Sequence, residues 1–181
     1  MKMISKLTAV CAVSTLVLTG CGNETPAPQP KQVAQPATLL NESFILKEKP
    51  AGAVTISEAR KSVKPGKEVT VFGTVGGAKS PFVATRASMI LADHTVMKAC
   101  RTEACSSCPT PWDFCCTPKE DLAKAILTVQ FIDTDGMVLK QGLEDFGGIK
   151  KNGIVTVKGK FAENSTDQLV IINAEKVFVE K

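Results

Sequence analysis

Five of the chain's seven cysteines, Cys100, Cys105, Cys108, Cys115 and Cys116, fall in the single stretch CRTEACSSCPTPWDFCC. Thiols at this density support three chemistries. The first is a pair of structural disulfides. Cys115 and Cys116 are adjacent, with Cα atoms about 3.8 Å apart against the usual 4.4–6.8 Å of a bridge, so each needs its own partner. Two bridges within the set leave one thiol over. The second is a metal centre. Cys105-x-x-Cys108 has the two-ligand spacing of a zinc knuckle, Cys100 with Cys115 or Cys116 completes four thiolates, and the same soft ligands suit Cu(I). The third is thiol redox chemistry at Cys105-Ser-Ser-Cys108. A reactive thiol of that kind sits at a helix N-terminus, whereas this motif lies in a Pro-rich loop. One bridge plus a three-thiolate site would also use all five.

Three neighbours bear on the choice. His94, the sole histidine, precedes the cluster and is an additional ligand for a metal reading; the alternative is a solvated turn residue. Trp112, the sole tryptophan, and Phe114 form a possible contact surface, or pack together over the bridges and fix the loop on its scaffold.

The redox compartment is set by the N-terminus. Positive MKMISK precedes the apolar run Leu7–Leu18, too short to span a bilayer, so residues 1–20 are expected to be a signal peptide. Its end, LTGC, resembles the lipobox of bacterial lipoproteins. The resemblance implies diacylation of Cys21 and an envelope protein held to a membrane by acyl chains. Gly22 rather than Asp follows Cys21, which under enteric-type sorting favours the outer membrane over the inner, facing the periplasm. Residues 21–40, rich in Pro, Gln and Ala, read as an extended tether. In such a compartment exposed thiols pair by default, so disulfides stand ahead of metal.

Residues 41–181 remain for one domain, with the cysteine-rich loop at 98–117. Thr55 and Glu58 form a capping-box pattern that starts a helix at about 56–62, and Thr117, Pro118 and Glu120 suggest a second helix start. Period-two alternation predicts strands in EVTVFGTVGG and at 88–93, 126–133, 153–161 and 168–180. Gly73 marks a bend or bulge in the first, DTDG at 133–136 a hairpin turn, and LEDFGGI a further helical turn. The expected class is all-β: a five-stranded barrel with short helices and the cysteine loop projecting between strands 2 and 3. A small antiparallel sandwich is the alternative. The pieces VTVFGTVGG, VTVKGKF and LVIINAEKVFV, in that order, resemble the OB-fold of tRNA-anticodon and helicase nucleic-acid-binding domains. CPTPWDFCC on such a domain resembles cysteine-rich envelope lipoproteins.

The OB resemblance implies a nucleic-acid ligand, but the residues argue against one. Removal of the leader leaves 20 basic and 18 acidic residues, a formal charge of +2, with the lysines scattered. The second strand carries no aromatic residue, and Phe131 in the third is flanked by Val129 and Asp133, so it reads as core rather than a base platform. No nucleophile elbow, phosphate-binding glycine loop or HExxH is present, and no catalytic residue is assigned; Asp133/Asp135 and Glu144/Asp145 read as solvated polar pairs. The expected function is therefore a non-catalytic binding module for an envelope protein or small ligand. A zinc- or copper-binding lipoprotein and a thiol-redox protein are the alternatives.

Overall fold

Alternation decides which side chains of each strand face inward. In the strand Glu68–Val75, here β2, Val71 and Val75 are fully buried. The same holds for Met89 and Leu91 in β3 (Ser88–Ala92), Leu127 and Val129 in β4 (Ile126–Gln130), and Val155 and Val157 in β5 (Ile154–Phe161). The last strand, β6 (Ile171–Val179), adds Ile172 and Val177. A sheet with one apolar face must bury that face, and here it does so by closing on itself.

The computed structural model describes residues 39–97 and 108–181. The signal peptide, Cys21, most of the tether, and Cys100 and Cys105 lie outside the described residues. Strand order is β2-β3-β4-β6-β5, and β5 pairs back onto β2 along seven residues, which closes the barrel. The β4–β6 pairing is parallel, and the other barrel pairings are antiparallel. This is the five-stranded Greek-key barrel of the OB type, and the sandwich alternative falls because one sheet forms both walls. A two-residue strand, β1 (Val54–Thr55), adds parallel to β2 outside the barrel. No helix among the described residues is long and apolar enough to cross a membrane.

Three local expectations need correction. The irregularity in the barrel lies between Lys158 and Gly159 rather than at Gly73. A Cβ on Gly159 would stand 2.3 Å from the Asn173 carbonyl oxygen, so the close backbone approach there requires glycine. Gly73 instead makes room for the helix, since a Cβ there would meet Ile56 Cδ1 at 2.6 Å. At the second helix, α2 (Lys119–Lys124), Pro118 is the N-cap in an extended conformation and no side chain caps the amides. The Thr117 amide is already committed to the Phe114 carbonyl, which holds Thr117 outside the helix. Leu40, placed in the tether by its composition, is 7% exposed and belongs to the core, so packing reaches back into the segment assigned to the linker.

The other signals are borne out. In α1 (Ile56–Arg60) both halves of the Thr55/Glu58 capping box are made, and Asp133 to Gly136 closes the expected turn. A 3-10 turn at Phe146–Gly148 occupies LEDFGGI. Phe131 is fully buried. Arg60 binds α1 to the barrel by donating to the Ile126 carbonyl at 2.8 Å and the Asp167 carbonyl at 2.6 Å.

Candidate functional site

The cysteine loop is inserted between β3 and β4, the second and third strands of the barrel, as expected. It does not simply project. Its second half folds back onto the barrel end, where the Gly77 amide donates to the Trp112 carbonyl at 2.8 Å and the Trp112 indole N–H donates to the Lys79 carbonyl at 3.1 Å. Gly76 permits this approach, because a Cβ there would lie 2.3 Å from the Trp112 carbonyl oxygen. Here a pair of glycines after β2 is a docking seat for a loop distant in sequence.

Trp112 and Phe114 do different work. Phe114 is 1% exposed and packs with Ala92, Met97 and Ala125 in a second, smaller core, with Leu122 and Ile126 at its edge. It offers no contact surface. Its backbone is left-handed at φ 54°, a conformation that a bulky residue adopts only when its surroundings impose it. The half-buried indole of Trp112 lies outside that cluster, and the Lys151 ammonium stands 5.6 Å from its ring centroid. The pair therefore divides into an anchor and a platform.

The thiols lie on the same fold-back. Cys108, Asp113 and Cys115 each place one ligand atom so that the three lie within 4.8 Å of one another. Asp113 was not among the sequence candidates. Its one local signal is its place two residues before Cys115, where a short carboxylate can turn back to the backbone. It accepts from the Thr110 hydroxyl at 2.7 Å and the Cys115 amide at 2.9 Å. Burial opposes ionisation of Asp113, but these hydrogen bonds and the charge of Lys79 outweigh it, and the pKa is lowered. His94 is not in this group. Its Nδ1 lies 3.2 Å from the Thr74 hydroxyl and its ring meets Phe72 edge-on at 5.8 Å. Cys116 is exposed beside Cys115.

A carboxylate absent from the sequence candidates closes off the loop's start. Asp93, 1% exposed at the end of β3, accepts from the Ser57 amide at 2.8 Å and from the amide and hydroxyl of Thr95. The Ser57 amide belongs to the first turn of α1, so one buried side chain joins that helix to the point where the insertion leaves the barrel.

Beyond Trp112 the barrel end is hollowed. A cleft of about 390 Å³ lies between Ser80, Phe82 and Val83 on one side and Leu143, Glu144 and Lys151 on the other. Gly142 sits against the Ala84 carbonyl oxygen, 2.8 Å from where a Cβ would be, so the walls meet backbone to backbone. Lys151 bridges the two features: it faces Trp112 and pairs with Glu144 at 2.7 Å. Glu144 is exposed, as expected of a solvated acid, and is also half of an ion pair.

No family model matches the chain, and no curated protein matches it. Among solved structures it is similar to the hypothetical protein YgiW from E. coli, with 16% sequence identity, a TM-score of 0.36, and coverage of 72% of this chain and 94% of that chain.

Proposed function

We propose that the chain is a non-catalytic binding module of the cell envelope, anchored through acylated Cys21, whose contact surface is the barrel end capped by the cysteine loop. The carrying observation is the fold-back: Trp112 is pinned beside a cleft by hydrogen bonds through its carbonyl and its indole N–H, while Phe114 holds the segment down. Binding sites are commonly built this way, as loops carried on a rigid barrel. Disulfides within the cysteine set would stiffen the same loop by about 2–4 kcal/mol each. The mature chain's near-neutral charge speaks for a protein or small-molecule partner rather than nucleic acid.

A photo-crosslinking residue placed at Val83, exposed on the cleft wall, tests this in intact cells against the same residue at Met137, exposed on the hairpin. Discrete adducts from position 83 and none from 137 are expected. Equal labelling from both, or none, would sink the reading.

A second reading, a zinc site, is favoured by the Cys108, Asp113 and Cys115 cluster. Two sulfurs and a carboxylate oxygen suit zinc better than Cu(I), and Cys100, Cys105 or Cys116 would supply a fourth ligand. Intact mass spectrometry with iodoacetamide labelling before and after reduction reads the state of every thiol. The disulfide reading expects a mass about 4 Da below the reduced chain, one labelled cysteine in the set and no metal. A native mass heavier by one zinc, with thiols that label only after chelation, would replace it with the metal reading.

A further inference from the structure

The proposal that follows rests on the binding-module reading and names the ligand class of its surface. Trp112 has its indole N–H and its carbonyl engaged by the protein, so it offers a ligand only an apolar ring face held at a fixed angle. The Lys79 backbone carbonyl accepts from the indole N–H, and the Lys151 ammonium stands over the ring. The cleft beside it combines the Ser80 hydroxyl and the Glu144 carboxylate with the walls of Phe82, Val83 and Leu143. Its volume falls at the small end of the range for ligand pockets, enough for one or two sugar rings.

Few ligand chemistries use this set. A purely apolar ligand would strip water from the Lys151–Glu144 pair and return no hydrogen bond. An organic cation would meet the like charge of the Lys151 ammonium over the ring, whereas a carboxylate draws that ammonium aside. A sugar matches each group: its C–H face lies on an indole, its hydroxyls donate to Glu144 and accept from Ser80, and an acidic substituent meets Lys151. The ion pair that must open for this is exposed on both sides, 35% and 47%, so it holds weakly.

We propose that Trp112, Lys151 and Glu144, with the adjoining cleft, form a binding site for a carboxylated sugar, with the ring stacked on Trp112 and the carboxylate paired with Lys151.

Trp112 is the chain's sole tryptophan, so intrinsic emission reports this surface alone. The full chain is titrated with trigalacturonate and with α-1,4-galactotriose, its neutral counterpart, by fluorescence and calorimetry. Saturable binding of trigalacturonate about tenfold tighter than galactotriose is expected. In Lys151→Gln that ratio should collapse to about threefold or less, and Trp112→Phe should weaken calorimetric binding of both sugars about fivefold or more. No saturable binding up to about 10 mM, equal affinity for the two sugars, or an unchanged ratio in Lys151→Gln would each overturn the proposal. If the sugars fail while crosslinking from position 83 persists, the ligand class is wrong and the module stands; loss of the crosslinks removes the module itself.

Discussion

Phe114→Ala is expected to lower the stability of the barrel by about 3–5 kcal/mol, and its melting temperature by roughly 10 °C. The ring is 1% exposed and is the largest member of the small core that joins the cysteine loop to β3 and to the start of β4. Alanine would leave a cavity that Met97 and Leu122, each belonging to a different segment, cannot both move to fill. The left-handed φ of 54° costs about 1–2 kcal/mol for any residue with a β-carbon, so it is common to both chains and the loss is that of the buried ring. The effect should also be visible locally. Trp112 lies two residues away and is held by hydrogen bonds to the backbone of Gly77 and Lys79, so release of Phe114 should red-shift its emission before the barrel unfolds. Thermal denaturation followed by circular dichroism, with emission recorded in parallel, separates the two. A Phe114→Ala chain that melts within about 2 °C of the wild type would mean that the loop is held by its cysteines rather than by this ring.

That balance between ring and thiols explains what the sequence reveals. Barrel strands carry their own signature, because inward residues such as Val69, Val71 and Val75 recur at period two along a local stretch. The capping box of Thr55 and Glu58 and the Asp133 turn are likewise contained within four residues. From these the five-stranded barrel and the position of the insertion were legible. The site is built from pairs far apart in the chain: Gly76 against Trp112, Lys151 against Trp112, and Ser57 against Asp93. Nothing local in PTPWDFCC distinguishes the buried Phe114 from the platform Trp112, since both are aromatic residues among prolines and cysteines. Asp93 looks like the last polar position of a strand, and only the arrival of α1 gives it a task. Composition misled at Leu40, where a Pro- and Gln-rich run ends in a leucine that the core accepts.

Asp93→Ala should cost about 3 kcal/mol, from the charge-assisted hydrogen bonds that the Ser57 amide and the Thr95 amide and hydroxyl make to the buried carboxylate. The acid limb of the stability curve isolates the charge. Burial alone would raise the Asp93 pKa, but the hydrogen bonds from Ser57 and Thr95 outweigh it, so the folded-state value is lowered below the ordinary one. A carboxylate whose folded pKa is depressed binds its proton more readily when unfolded. Its stabilising contribution is therefore full above the unfolded pKa, near 3.9, and is lost as the pH falls through the lower folded value. Asp93→Asn keeps the size and one acceptor oxygen but does not titrate. Asp113 also has a depressed pKa and contributes to the acid slope of both chains, so the difference between them is the quantity to follow. Urea denaturation of wild type and Asp93→Asn should give a stability gap that is constant from about pH 7 down to pH 5 and shrinks below about pH 4. A gap of the same size at about pH 2.5 would mean that Asp93 acts through shape and hydrogen bonding alone. In that case the link between α1 and the root of the cysteine loop would hold as well with a neutral amide as with a carboxylate.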